Sequence, residues 1–183
     1  MTYLLIGIVI IGVVFVVYYN RLVKLRQTVR NAWADIDVQL KRRHDLIPNL
    51  VETVKGYASH EQDTLEAVIQ ARNQAIGASA PAATAAAENQ LTGALRQLFA
   101  LSESYPQLRA VEGFTELQGS LKEIEEAVQS SRRYYNAVVR DYNTTIEQVP
   151  SNIVANAFRF QQEEFFELED EAERAVPEVD FGG

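Results

Sequence analysis

The sequence predicts an all-α protein in which an N-terminal transmembrane helix continues into an elongated antiparallel bundle of about four long helices. Gly and Pro number only nine and five among 183 residues. The more plentiful Ala, Leu, Glu, Gln and Arg lose little rotamer freedom in a helix. An uncharged apolar run opens the chain, and helical periodicities of seven and eleven residues follow it.

Length and composition divide the chain into three parts. A chain of 183 residues allows one domain of ordinary size together with an anchor. We expect a transmembrane anchor at residues 1–20, a helical bundle at 21–149 and a Phe-containing acidic C-terminal segment at 150–183.

The charge is concentrated in the last part of the chain. The formal net charge is −8, and residues 161–183 hold nine acids against the single base Arg174, so the preceding residues sum to zero. Nucleic acid is excluded as a partner, because it requires clustered Lys and Arg to displace phosphate counterions. The absence of Cys excludes disulfides, thiolate chemistry and Cys-ligated zinc.

Residues 1–20 are predicted to cross a membrane once. No charged side chain precedes Arg21, and residues 3–19 are apolar apart from terminal Tyr hydroxyls. About 18 helical residues span roughly 27 Å, which is enough for a hydrocarbon core. A buried helix of a soluble protein is the alternative. A cleaved signal peptide is disfavoured, because the run lacks a basic leader and a small-x-small site before Asn20.

The flanking charges predict the orientation of this span. Four bases come before the first acid, Asp35, whereas only Met1 and Thr2 lie on the other side. These bases are Arg21, Lys24, Arg26 and Arg30. By the positive-inside tendency, residues 21–183 are expected in the cytoplasm.

Residues 21–57 are predicted to form one long helix with an eleven-residue apolar repeat. The rows of this repeat are Leu25, Ile36 and Ile47; Val29, Leu40 and Val51; and Leu22 with Trp33. A repeat of eleven residues gives about 3.67 residues per turn and therefore a nearly straight helix.

Three residues interrupt this pattern. Arg43 falls inside the apolar stripe and His44 at its edge. Because an inward Arg is costly without a partner, we expect Arg43 to meet an acid on another helix, with snorkelling to the surface as the alternative. Pro48 either bends one continuous helix or begins a new helix capped by Asp45. The unbroken phase of the rows favours the bend.

Two further helices are predicted before residue 106. Ser59 and Gln62 fit a capping box that opens a helix at about 59–76. The small-residue sequence at 77–87 is interpreted as an exposed connector. A third helix is expected at about 86–103, ending near Tyr105 and Pro106.

The fourth helix has a heptad repeat typical of coiled coils. Its core positions are Phe114, Leu121, Val128, Tyr135, Tyr142 and Val149. The repeat predicts a helix of about 36 residues that packs antiparallel against residues 21–57.

The C-terminal part is expected to dock through aromatic side chains. Four Phe lie within 158–166, and we expect a partly helical segment that packs on the bundle or on a neighbouring copy, with residues 177–183 extended. Asn136 and Asn143 lie seven apart beside the core residues Tyr135 and Tyr142, where their amides can bridge helices or protomers. The candidate interface residues are Tyr135, Asn136, Tyr142, Asn143, Phe165 and Phe166.

No residue set indicates catalysis, and no catalytic, cofactor-binding or metal-ligating residue is assigned. The two His, His44 and His60, lack the i, i+4 pairing of a helical zinc site. Neither Glu-x-x-His motifs nor a nucleophile-elbow sequence occurs. The protein is therefore not expected to be an enzyme.

Residues 42–51, with the sequence RRHDLIPNLV, resemble a motif of the LemA family of bacterial membrane proteins. The similarity extends over nearly the whole chain, through Trp33, Arg72, Tyr135-Asn136, Tyr142-Asn143 and Phe165-Phe166. The structural motif comprises Trp33, Arg42, Arg43, His44, Asp45, Pro48 and Asn49.

The resemblance carries implications for architecture and partners. It implies a membrane anchor followed by a bundle of long helices, located in the bacterial cell membrane and without established enzymatic activity. Some members are associated with magnetosome membranes, and others occur beside membrane metalloproteases of the HtpX type, which suggests such a protease as a partner.

Three functional hypotheses follow. The first is a membrane-anchored scaffold that forms a homo-oligomer or holds membrane protein partners. The second is an accessory subunit of a membrane protease or transporter. The third is a hydrolase or ligand sensor, which requires a deep polar pocket lined by at least three titratable groups.

Overall fold

The computed structural model describes residues 1–167, which form six helices and no strand. The helices are α1 Thr2–Lys55, α2 Gln62–Gly77, α3 Pro81–Ser102, α4 Pro106–Arg109, α5 Glu112–Glu147 and α6 Ser151–Ala157. The all-α class is therefore confirmed. The expectation for residues 177–183 lies outside the described residues, as does most of the acidic sequence.

Helix α1 is one element of 54 residues, roughly 80 Å long. Its first part is exposed and is long and apolar enough to cross a membrane. Its later part supplies the core rows, in which Leu22, Ile36 and Ile47 are fully buried. The same helix thus leads from the apolar N-terminal run into the centre of the bundle.

Pro48 lies inside α1, so the expected continuous helix is confirmed and Asp45 does not cap a new one. A proline removes the N–H that would bind the carbonyl four residues earlier, here that of His44. Arg72 of α2 replaces this donor, because its Nε donates to the His44 carbonyl at 2.8 Å. The interruption in α1 therefore becomes a point of attachment for α2.

Helices α1 and α5 pack antiparallel, as predicted. The Trp33 ring lies 5.3 Å from the Tyr135 ring, and Arg43 Nη2 lies 3.0 Å from Glu125 Oε2. Residue numbers therefore rise along α1 as they fall along α5. Helix α5 contains the expected 36 residues.

Five of the six predicted heptad positions are buried, from Phe114 to Tyr142. The sixth, Val149, was wrongly assigned, because α5 ends at Glu147 and Val149 is 78% exposed. Pro150 disfavours helical backbone at the residue before it.

The core has two halves along α1: a proximal half next to the apolar run and a distal half around the C-terminal end of α1. In the distal half, the α2–α3 hairpin covers α1 and α5 through residues such as Val68, Leu91 and Leu98. In the proximal half, α6 and the chain after it cover the same two helices through Val154, Phe160 and Phe166. The α1–α5 pair is thus common to both halves.

Two local predictions were wrong. Helix α2 begins at Gln62 after Glu61 rather than at a Ser59 capping box. The expected connector is mostly helix, because α3 begins at Pro81 and buries Thr84, Ala85 and Ala87. Proline favours the first turn of a helix, alanine has the highest helix propensity, and small side chains permit close packing without an apolar period.

The chain after α5 docks on its own bundle, one of the two expected arrangements. Only Ser151–Ala157 is helical, and residues 160–167 are non-helical. Arg159 has φ of 56° and turns the chain back along α5. Phe160 and Phe166 are buried, whereas Phe158 and Phe165 are 53% and 39% exposed.

The hydrogen bond by which Arg72 replaces the N–H missing at Pro48 can be tested by substitution. Arg72→Met is expected to lower the free energy of unfolding by about 1–2 kcal/mol, because the His44 carbonyl loses its partner. In a Pro48→Ala background the loss is expected to be smaller, because the N–H at position 48 can bind that carbonyl. Urea unfolding in mild detergent measures both losses as a double-mutant cycle.

Arg140→Met is the matched control, because Arg140 is exposed on α5. It is expected to change stability by less than about 0.5 kcal/mol. Equal losses for Arg72→Met in the two backgrounds would show that Arg72 does not compensate for Pro48.

Candidate functional site

The α1 motif separates into buried and exposed side chains. Arg43 and His44 are buried at 3% and 8% exposure, and Trp33 is half-buried. The remaining motif residues, Arg42, Asp45, Pro48 and Asn49, are exposed. The structure thus directs two adjacent basic side chains of the motif into the bundle.

These two side chains meet a fully buried carboxylate of α3. Glu88 Oε2 accepts from Arg43 Nη1 at 2.9 Å, and Glu88 Oε1 lies 2.6 Å from His44 Nε2. Arg43 Nη2 also donates to Thr92 Oγ1 and Glu125 Oε2, each at 3.0 Å. We call Arg43, His44, Glu88, Thr92 and Glu125 the Glu88 cluster.

The Glu88 cluster joins three helices by charge. A buried carboxylate is costly unless it is paired and hydrogen-bonded. Arg43 forms an ion pair with one oxygen of Glu88, and the His44 ring lies within hydrogen-bond distance of the other. The acid partner expected for Arg43 is therefore present on another helix. Glu125 is 43% exposed, so the cluster reaches solvent on the α5 side.

Sequence reasoning did not identify Glu88. It is the single acid between Gly77 and Ser102, and a lone charge in a run of small apolar residues was the available signal. Glu88 lies within the helix predicted at about 86–103, and the signal was missed because no inward-facing position of that helix was assigned to it.

The second candidate site is the α1–α5 groove that holds residues 160–167, here called the C-terminal segment. Asn136 and Asn143 each form a pair of hydrogen bonds with its main chain. Asn143 exchanges bonds with the carbonyl and N–H of Glu163, both at 2.9 Å. Asn136 does the same with Phe166, at 3.0 and 2.9 Å.

The spacing of these two Asn matches an extended peptide. Seven helical residues rise by about 10.5 Å, and three extended residues span about 10 Å. Tyr135 adds a further main-chain contact, because its hydroxyl donates to the Glu164 carbonyl at 2.8 Å. The groove therefore binds the main chain of an extended segment with the side-chain amides of Asn136 and Asn143. The edge of a β-sheet binds an added strand in a similar way, with its own backbone groups.

Two Phe side chains fill the apolar parts of the groove. Phe166 is fully buried and packs edge-on to Trp33 with ring centroids 5.4 Å apart. Phe160 lies beneath the Arg26 guanidinium, 4.8 Å from its ring centre. These contacts select an aromatic residue at each end of the segment.

The Tyr135 hydroxyl is held in its neutral form. Burial raises the pKa of Tyr135 to about 12, and the carboxylates of Glu163 and Glu164 act in the same direction. The hydroxyl therefore stays protonated at neutral pH and keeps its donor role toward the Glu164 carbonyl.

The sequence-predicted interface residues lie together in this groove. Asn136 and Asn143 contact the segment directly, Tyr135 and Tyr142 are buried beside them, and Phe166 is inserted. Phe165 points partly to solvent. The amides bind the main chain of the same molecule, a role that sequence reasoning did not assign to them.

A cavity of about 570 Å³ opens between α3 and α5 beside the Glu88 cluster. Its titratable lining residues are Arg43, Arg96, Lys122 and Glu125, and its floor contains Leu95, Phe99 and Leu121. No His, Cys or Ser lines it. Within residues 1–167, no group of three or more His, Cys, Asp or Glu could hold a metal ion.

Removing the buried carboxylate is expected to destabilise the bundle strongly. Glu88→Gln removes the one fully buried carboxylate of the cluster, so that Arg43 keeps only the part-exposed Glu125 as an acidic partner. The expected loss is about 3–5 kcal/mol in urea unfolding. Asp45→Asn is the matched control, because the side chains of the Lys41–Asp45 pair are 75% and 58% exposed. An exposed ion pair contributes little to stability, so this variant is expected to lose much less than Glu88→Gln. Similar losses for both variants would contradict a structural role for the cluster.

Removing a side-chain amide is expected to loosen the C-terminal segment. Asn136→Leu and Asn143→Leu should each speed hydrogen exchange at Phe166 and Glu163 by roughly tenfold, because a pair of hydrogen bonds is lost. Asn156→Leu, an exposed position on α6, is the control. Unchanged exchange in the two groove variants would mean that the amides do not hold the segment.

Comparison with known proteins finds relatives that are about one quarter identical in sequence. The chain is 24% identical to magnetosome protein MamQ 2 of Paramagnetospirillum magneticum, with 81% of this chain and 64% of the relative covered. It is 25% identical to protein LemA of Metamycoplasma hominis, with 84% and 72% covered. It is 22% identical to magnetosome protein MamQ of Magnetospirillum gryphiswaldense, with 81% and 64% covered.

The chain thus spans just under two thirds of the length of the magnetosome relatives. The family model described as the LemA family matches residues 32–181, which include the α1 motif, the Glu88 cluster and the groove residues named above except Arg26. The chain therefore belongs to the LemA family.

Proposed function

We propose that this protein is a membrane-anchored scaffold, with no catalytic activity of its own, that self-associates or holds membrane protein partners. The continuity of α1 carries the proposal. An exposed apolar run of membrane-spanning length continues without interruption into a helix whose later residues are buried core. Such a helix can hold a bundle at a fixed position relative to a membrane surface.

The use of the buried polar groups also favours a scaffold. Glu88, Arg43 and His44 pair with one another, and the groove amides are occupied by main chain. These groups therefore contribute to joining helices and segments. The proposed division of the chain remains an anchor at residues 1–20, a bundle at 21–149 and a Phe-containing acidic C-terminal part at 150–183, which includes the C-terminal segment defined above.

The proposed location is the bacterial cell membrane, with one span and the bundle in the cytoplasm. Arg21 and Lys24 follow the apolar run directly, and Arg26 and Arg30 come one and two turns later. Basic residues next to a span favour the cytoplasmic side.

A ligand sensor is the second candidate, favoured by the cavity of about 570 Å³ between α3 and α5. Its mixture of basic side chains and apolar floor suits a small amphipathic anion. Occupancy by such a molecule would separate this candidate from a purely structural role.

Membrane attachment is tested by charge placed in the apolar run. Val9→Asp combined with Val13→Asp is expected to release the protein from membranes, because each Asp near the centre of a span costs about 2.5–3.5 kcal/mol. Val38→Asp is the control, since Val38 is 56% exposed within the bundle part of α1. Flotation of vesicles measures attachment, and retention of the double variant would count against the anchor.

Scaffolding is tested on the full chain in nanodiscs. Native mass measurement is expected to find species with more than one copy, or crosslinking in cells is expected to capture a membrane protein bound to the bundle. A result of monomer alone, with no captured protein, would eliminate the scaffold proposal.

A further inference from the structure

The C-terminal segment is held by features that do not depend on which molecule supplies it. Asn136 and Asn143 bind main-chain groups, and Tyr135 binds a main-chain carbonyl. The two aromatic contacts, to Phe160 and Phe166, are side-chain contacts that any copy of the same sequence provides. The groove is thus a receptor for an extended peptide, comparable with strand addition to a sheet edge.

The segment is joined to the bundle by a strained turn. Arg159, with φ of 56°, is the one non-Gly residue with positive φ among residues 1–167. This left-handed conformation is disfavoured for residues with a Cβ atom. Because of this turn, the chain leaving α6 folds back into the groove of its own molecule.

An extended conformation at Arg159 would relieve this strain and direct the segment away from its own groove. Helix α6 would remain in place, since it packs on both α1 and α5 and buries Ser151, Val154 and Ala155 there. Every contact of the segment could then be remade in the groove of a neighbouring molecule. Exchange of an identical element across a strained hinge is the usual route to a swapped assembly.

The position of the hinge suits exchange between neighbours in one membrane. The Phe158 ring, beside the hinge, lies 4.7 Å from the ring of Tyr19, at the end of the apolar run. Copies anchored in the same orientation would hold their hinges and grooves at one height above the membrane. Confinement to a surface also raises the effective concentration of neighbouring grooves.

We propose that residues 160–167 exchange between membrane-anchored copies, so that the C-terminal segment of one chain occupies the α1–α5 groove of another. The partner is therefore a second copy of this chain. This inference rests on the proposed scaffold function and specifies the contact by which copies associate.

The absence of Cys allows a direct test. In the segment, Gln162 Nε2 lies 2.5 Å from Glu147 Oε1 of α5, and both side chains are exposed. Full-length Gln162→Cys and Glu147→Cys chains, one of them isotopically labelled, are reconstituted together in lipid vesicles and treated with a short bis-maleimide crosslinker. Exchange is expected to give a covalent heterodimer linked between positions 147 and 162, identified by peptide mass.

Three variants, each made in both partners, distinguish exchange from collision. Arg159→Gly is expected to reduce the heterodimer by roughly fivefold, because glycine adopts positive φ without penalty and favours the unexchanged form. Asn136→Leu combined with Asn143→Leu is expected to abolish it. Asn156→Ala, outside the groove on α6, should leave it unchanged.

Two outcomes would overturn segment exchange without overturning the scaffold function. A chain carrying both Cys substitutions reports the unexchanged form as an internal crosslink. If that link forms and the heterodimer does not, the segment stays in its own groove, even where native mass measurement finds oligomers. A heterodimer that persists equally in the Arg159→Gly and groove variants would show collisional crosslinking and would also overturn exchange.

Discussion

The buried carboxylate of Glu88 is the constraint on which the distal half of the bundle depends. Its two oxygens are satisfied by Arg43 and His44, adjacent residues of α1. A shift of α3 by even one residue would separate the Glu88 carboxylate from both partners and leave it buried, at a cost greater than most apolar repacking. Apolar contacts supply the attraction between the helices, whereas this cluster selects one register for them.

The two halves of the α1–α5 pair are completed in different ways. The distal half is closed by a helical hairpin, attached through Glu88 and through the bond from Arg72 to the His44 carbonyl. The proximal half is closed by an extended segment, attached through amides to main chain. The hairpin is held by particular side chains, among them the Arg43–Glu88 ion pair. The extended segment is held largely by its main chain, which any copy of this chain presents in the same way.

The long helices were predictable from the sequence because their apolar periods are strong and local. The type of partner for Arg43 was predictable from the cost of burying a charge, but its identity was not, since Glu88 lies 45 residues away. The start of α3 was missed because alanine packs without a visible period. The groove was missed because an extended segment held by its backbone leaves little pattern in its own side chains, and Asn136 and Asn143 resemble ordinary flanking residues.

The unbroken course of α1 has a mechanical consequence. About 35 of its residues lie beyond residue 20, a lever of roughly 52 Å. With the apolar run in a bilayer, a tilt of about 20° moves the far end sideways by roughly 18 Å. A change in bilayer thickness that alters this tilt would therefore sweep the distal half of the bundle across the membrane surface, while the groove, close to the pivot, would move much less.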